Sequence, residues 1–463
     1  MRKIEHVVVL MLENRSFDST LGRLYPKSER FDGLDGTESN PWHKQDGTEE
    51  QIRVWNSAQM SEEAACIPDP DPGELFEDMS LQIFGLGRVP GARPSMTGFV
   101  DSYMRQPADA VPTDPRAVMH YFTPAQVPVI SELAKAFGVC DRWHASAPCE
   151  TWPNRFFAHT GTAGGFVNNR RSRFPYRWPR PMPTIFRRLD AGGHNWRIYF
   201  HDVPQAATLI DLWAKIPTRF CLFDPEFAQH SRSGRLASYS FIEPRYYPNR
   251  WLRKVPNDQH PPHNMLYGEQ LIAATYNALR SAPTWNRTLL IVTYDEHGGC
   301  FDHMPPPAAV PPGGAYPDGF TFDRYGVRVP AVIISPYVVP GSIIRPPPRG
   351  DGTPYGPFEH ASIIATLQSI FDLGPPLTSR VAAVPNLLGA LALEQPENSG
   401  PTQLSVHPQR PSSAEAWAYA RRRRNGLQHS LRDPLSGLPG AMARVIAHAR
   451  RLGSIRDGWR RRD

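Results

Sequence analysis

The stretch IEHVVVLMLEN at residues 4–14 decides the fold. Residues 4–12 are dominated by β-branched and aliphatic side chains, with none of the alternation of a half-solvated strand. They predict a strand buried on both faces, as in a parallel sheet. The apolar run Val7 to Leu12 is six residues long and Glu13 follows at once, so the segment is a first core strand and not a signal peptide. The pattern recurs in TLLIVTY at 288–294, VPAVIISP at 329–336 and, more briefly, NWRIYF at 195–200. Helical patterns lie between them at 127–139, 154–163, 265–280 and 359–372; the third has apolar positions at Leu266, Leu271, Ile272, Ala274, Tyr276 and Leu279. This alternation predicts an α/β fold with a mostly parallel central sheet sandwiched by helices.

Proline accounts for 50 of 463 residues, roughly twice its usual share. That excess predicts long, stiff loop insertions around the core. Residues 26–98 are polar and punctuated by Pro and Gly and read as a lid-like insertion; 304–318 is a Pro/Gly-rich loop. The expected organisation is a catalytic domain over 1–405 and a basic C-terminal tail over 406–463. Hydrophobic residues make up 40% of the chain and charged residues 21%, which excludes a disordered chain. No run approaches the 18 apolar residues of a membrane-spanning helix.

Charge is unevenly spread. Residues 411–463 hold twelve Arg, no Lys, three Asp and one Glu, or +8, so the other 410 residues sum to −2 within the overall +6. A body without net positive charge argues against a nucleic-acid partner. The tail carries RRRR at 421–424 and a helical pattern around 441–452, with Arg444, Arg450 and Arg451 towards one face and Met442, Val445, Ile446 and Leu452 towards another. That suits peripheral contact with an anionic membrane, and it suits equally a solvated or self-docked helix. The five cysteines show no CxxC, so neither a disulfide framework nor a thiolate zinc site is implied. Cys140 and Cys149 could pair, and one thiol must stay free. Without a signal peptide the expected location is cytoplasmic, with a signal-independent export route as the alternative.

Chemistry gathers where strands stop, as it does at the carboxyl edge of open α/β sheets. Strand 4–12 ends in Glu13-Asn14, strand 288–294 in Asp295-Glu296-His297, and strand 195–200 in His201-Asp202. Glu13, Asn14, Asp295 and Glu296 offer only hard oxygen donors, which suit Mg²⁺, Ca²⁺ or Mn²⁺ better than zinc. The alternative is a salt-bridge network with arginines such as Arg15. In TWPNR, Thr151 reads as a helix N-cap with Pro153 in the first turn. Such a helix start favours a phosphate, and a hydroxyl there could attack phosphorus if a metal lowered its pKa. An ordinary capping threonine fits the same segment. His260, between Gln259 and two prolines, has a restricted backbone suited to acid–base work. His263, His297, His303 and His360 are further candidates.

IEHVVVLMLENRSFD at 4–18, ETWPNRFFAHTGT at 150–162, HPP at 260–262 and YDEHGGCFDHMPPP at 294–307, in this order, resemble the bacterial phosphoesterase family. That family contains non-specific phospholipases C and acid phosphatases and has an alkaline-phosphatase-like fold; the resemblance spans about residues 1–385. It implies one divalent metal ion held by Glu13, Asn14, Asp295, Glu296 and the Thr151 oxygen. It implies Thr151 as the nucleophile that forms a phospho-threonine intermediate, and His260 and His201 as catalytic histidines. His297 and His303 belong to the motif, either acting or bracing. Asn264 stands where relatives usually carry an aspartate after HPP-x. The implied activity is hydrolysis of phosphatidylcholine-like phospholipids to diacylglycerol and a phosphorylated head group. A broad-specificity acid phosphatase is the alternative enzyme, and a non-catalytic membrane- or polyanion-binding protein the alternative of another class. Every candidate catalytic residue precedes position 385, so loss of 411–463 is expected to spare hydrolysis of a soluble substrate.

Overall fold

The computed structural model describes residues 3–436 except 88–92, 108–111, 170–181, 349, 351, 354, 407–409 and 423. The expected helix at 441–452 lies outside the described residues. The strands are β1 (His6–Leu12), β2 (Ser39–His43), β3 (Glu49–Arg53), β4 (Gly138–Val139), β5 (Trp196–Phe200), β6 (Phe220–Leu222), β7 (Tyr239–Glu243), β8 (Thr288–Tyr294), β9 (Ala331–Ile334) and β10 (Ser342–Ile343). Eight of them form one sheet in the order β10-β4-β9-β8-β1-β7-β5-β6. From β8 through β6 every pairing is parallel; β9 runs antiparallel to both β8 and β4. The fold is the expected mostly parallel α/β sheet.

β1 sits at the middle because its side chains tolerate burial on both faces. Val7 to Leu12 have no exposed surface, and each such side chain contributes about 1.5–3 kcal/mol by leaving water. Register His6 opposite Thr288 through Leu12 opposite Tyr294 brings the carboxyl ends of β1 and β8 level. Glu13 and Asp295 therefore leave the sheet side by side.

Four of the expected helices appear, as Pro128–Ala136, Thr151–Thr160, Met265–Arg280 and Ala361–Phe371. The first ends earlier than its pattern predicts, because Gly138–Val139 is drawn into the sheet as β4 between β9 and β10. Region 26–98 is more ordered than its composition suggests. β2 and β3 form a hairpin, Phe76–Phe84 is a helix, and Leu34, Ile52, Val54, Ile83 and Met96 join a second, smaller core together with Phe99, Met119, Phe301 and Val327. All five cysteines are free and buried, so Cys140 and Cys149 do not pair.

Candidate active site

The two central strands deliver the oxygen donors. Asn14 takes a left-handed backbone (φ 43°), and its N–H donates to Asp295 Oδ1 at 3.1 Å. The turn after Glu296 must pass against that backbone. A Cβ on Gly298, itself at φ 60°, would stand 2.4 Å from the Asn14 carbonyl oxygen, so only glycine fits. Thr151 comes from the helix Thr151–Thr160 and is 1% exposed. Its hydroxyl lies 3.4 Å from both Glu13 Oε2 and Asn14 Oδ1. The cap position belongs to Glu150, one residue before the expected Thr151, which is the first helical residue. The hydroxyl thus points from the first turn into the cluster instead of folding back on the helix.

Two cationic side chains and a further carboxylate complete the cluster. Arg155 lies four residues after Thr151, on the same helix face, and binds Glu13 Oε1 through Nη2; its Nε is 3.6 Å from Asp295 Oδ2. Gln205 Nε2 donates to Glu13 Oε1 at 2.9 Å. Glu74, from the 26–98 insertion, accepts from Asn14 Nδ2 at 2.6 Å and lies 3.2 Å from His260 Nε2. Burial opposes charge on His260, but Glu74 and Asp71 overcome it and hold the imidazole protonated well above its ordinary range. Arg15 makes no such network: it donates to the carbonyls of Gln259 and Ile67. Glu74, Arg155 and Gln205 were not legible as site residues, although the 151/155 spacing carries a signal for Arg155.

The charges do not balance. Glu13, Asp71, Glu74, Asp295 and Glu296 supply five carboxylates against two cations, Arg155 and His260, so acidic groups outnumber basic ones in and beside the buried site. Burial, then Glu74 and Asp295, push the Glu296 carboxyl well up; burial is also the main cause of the rise at Glu13, against Arg155. Asp295 Oδ2 and Glu296 Oε1 are buried without a hydrogen-bond partner. Carboxylate oxygens left without a partner and an excess of carboxylates over cations fit a divalent cation bound by hard oxygen.

The other histidines are distributed differently. His201 hydrogen-bonds through Nδ1 to the Glu243 carbonyl (3.1 Å) and stacks on Phe223. Burial, then Arg245, lowers its pKa to about 4. No described contact joins it to Thr151, Glu13 or His260. The reason is β7, a strand the sequence pattern did not reveal, which lies between β1 and β5 and sets their ends ~10 Å apart. His297 binds Gln82 Oε1 at 2.7 Å, and burial holds it neutral with a pKa of about 3. His360 approaches the Asp295 carbonyl at 2.6 Å, and His263 binds Asp258 at 2.6 Å. These three brace the cluster. The tail is not separate from it: within the helix pair Ser413–Arg421 and Gly426–Ser436, the connecting residue Asn425 places Nδ2 3.0 Å from His260 Nδ1, and Gln428 reaches His263. Residues 412–428 of the tail therefore dock on the body beside His260 and His263.

Comparison with known proteins identifies the family. The family model described as the Phosphoesterase family matches residues 4–374. Non-specific phospholipase C3 of Arabidopsis thaliana is 37% identical over 390 residues, covering 81% of this chain and 71% of the relative. Non-specific phospholipase C1 of the same plant is 38% identical over 377 residues, covering 80% and 67%. Phospholipase C A of Mycobacterium tuberculosis is 27% identical over 466 residues, covering 88% and 80%. A solved structure of a protein in the alkaline phosphatase superfamily from Vibrio parahaemolyticus aligns with a TM-score of 0.32 and 13% identity over 71% of this chain and 82% of that one; a likeness so weak carries no argument. The chain belongs to the Phosphoesterase family and is a hydrolase acting on phosphoric ester bonds, similar to phospholipases C. The bacterial qualifier is not confirmed, since the relatives at 37–38% identity are from a plant.

Proposed function

We propose that the chain is a metal-dependent phospholipase C-type phosphoesterase that cleaves phosphatidylcholine-like phospholipids to diacylglycerol and a phosphorylated head group. The observation that carries this reading is the Thr151 hydroxyl, set at a buried helix start between Glu13 and Asn14. Glu13, Asn14, Asp295, Glu296 and Thr151 Oγ1 would hold one Ca²⁺, Mg²⁺ or Mn²⁺ ion. Bound there, it supplies Lewis-acid charge that offsets the buried carboxylates and favours the hydroxyl's ionised form.

The chain's own residues then do the rest. Thr151 Oγ1 attacks phosphorus; the bond to the diacylglycerol oxygen breaks and phospho-threonine forms. Arg155 keeps Glu13 oriented towards Thr151. His260, held protonated by Glu74 and Asp71, gives its proton to the leaving alkoxide. The neutral imidazole next takes a proton from the water that hydrolyses the phospho-threonine. His201 remains a candidate to reach the substrate from β5. The basic tail adds peripheral attraction to an anionic membrane. Product analysis on phosphatidylcholine and on a phosphomonoester, with and without a chelator, tests the reading. Diacylglycerol that disappears on chelation supports it; faster phosphomonoester turnover would make the chain an acid phosphatase instead.

A further inference from the structure

Between β7 and His260 the chain makes a tight turn, in which Asn249 and Lys254 exchange backbone hydrogen bonds of 2.7 and 3.0 Å. Its tip exposes Trp251 and Leu252, 68% and 41% accessible. The other large exposed apolar side chains among the described residues, such as Ile210 and Val310, are not adjacent to one another in sequence. The tip is held in place: Trp251 packs edge-on against Trp417 with centroids 5.6 Å apart, and the Arg250 guanidinium lies 5.0 Å from one ring and 4.2 Å from the other. The same turn borders a cavity of about 270 Å³ lined by His201, Arg245, Arg253, Lys254, Gln270 and Arg410. Four cationic side chains face one carboxylate there, Asp224, which stands 3.5 Å from Lys254. Gln270 Nε2 is buried without a hydrogen-bond partner, a donor left for an anion.

We propose that this turn and cavity dock the protein on an anionic phospholipid surface, with Trp251 and Leu252 entering the headgroup–acyl boundary and the surrounding cations taking a lipid phosphate. An indole beside an aliphatic chain suits that boundary, where one side is apolar and the other wet. Excess positive charge next to it matches the negative surface. Placement favours the occupant too. His201 directly follows β5, which runs parallel to β7 and through it to β1, so the cavity opens at the sheet edge that carries Glu13. Docking there turns the catalytic edge towards the lipid. The inference holds whichever ester Thr151 cleaves.

The test compares the full chain with Trp251→Ser/Leu252→Ser and with Lys254→Gln. Each is sedimented with phosphatidylcholine vesicles, with and without phosphatidylglycerol, at low and high salt. The double variant should lose at least about tenfold in partitioning onto mixed vesicles. Lys254→Gln should lose about fivefold at low salt, a difference that fades at high salt. Turnover of a soluble short-chain phosphate ester should stay at the wild-type value in both variants, and the melting temperature should stay there in Lys254→Gln. Wild-type partitioning by both variants overturns the proposal. So does calorimetric binding of inorganic phosphate that depends on Lys254 while vesicle binding does not, since the cavity would then serve a free anion. A change of oligomeric state in the double variant would mark the patch as a contact between copies and also overturn it. If the double variant does not fold, Leu252→Ser alone carries the comparison, because it leaves the Trp251–Trp417 contact in place.

Discussion

Two buried clusters grow from the same two motifs, and they differ in charge. ENRSFD supplies Glu13 and Asn14 to one and Asp18 to the other; DEHGGCFDH supplies Asp295 and Glu296 to the first, Asp302 and His303 to the second. In the second cluster Arg328, fully buried, donates to Asp302 Oδ1 at 2.9 Å and to Asp18 Oδ1 at 2.8 Å, while His303 Nδ1 sits 2.6 Å from Asp18 Oδ2. Arg328 and a protonated His303 balance the two carboxylates, and none of the carboxylate oxygens of Asp18 and Asp302 is left orphaned. In the first cluster carboxylates outnumber cations, and oxygens of Asp295 and Glu296 are left without a partner. A closed, neutral cluster braces; an open, charge-deficient one can take a cation and a phosphate.

The comparison breaks most directly at Thr151. Thr151→Val nearly preserves volume at a site 1% exposed, so the protein should fold. Turnover should fall by at least about a thousandfold, the scale of losing one member of a catalytic unit. A folded variant with near wild-type turnover would remove the nucleophile role. The second test concerns metal. Elemental analysis of Glu13→Ala and Asp295→Ala should show the bound divalent ion lost, whereas Asp302→Asn should retain it. Stoichiometric metal in both alanine variants would refute the ligand set.

Much of this contrast is legible in the sequence, and the reasons are local. Strand β1 and strand β8 announce themselves by unbroken apolar runs, so Glu13, Asn14, Asp295 and Glu296 stand out as abrupt polar ends. Thr151 was visible because proline follows it at a helix start. Glu74 was not: it lies in a stretch without periodicity and reaches Asn14 only through tertiary packing. β7 is not legible in the sequence because Ser240 and Glu243 interrupt a five-residue strand, although both are fully buried. Asn425 was hidden by composition, since an arginine-rich tail reads as solvated while this residue sits against His260.

The bracing cluster predicts a loss of stability instead of chemistry. Arg328→Met keeps bulk but leaves Asp18 and Asp302 buried with one cation fewer. Removing one partner from a buried charge network costs about 3–5 kcal/mol. Denaturant unfolding should show that loss, and any variant that still folds should keep its metal. A variant as stable as wild type that has lost its metal would mean that this cluster, not the Thr151 cluster, is the cation site.

The smallest effect should come from His303, and its sign is fixed by the same cluster. Burial opposes charge on this imidazole, but the hydrogen bond and the charge of Asp18 prevail and raise its pKa above the ordinary histidine value. Asp18 is shifted the other way: burial is outweighed by Arg328 and His303, so its carboxyl is held below the usual range and stays ionised at neutral pH. A histidine whose folded pKa exceeds its unfolded one adds stability that is complete below the unfolded value, ~6.5, and is lost as pH rises through the folded value. His303→Gln keeps a donor for Asp18 without the charge. The difference in melting temperature between wild type and this variant should therefore be greatest near pH 5.5 and shrink as pH climbs into the alkaline range, while Asp18 stays ionised throughout. A difference that grows with pH would show that His303 is neutral in the fold, and the second cluster would then be short of positive charge just as the first one is.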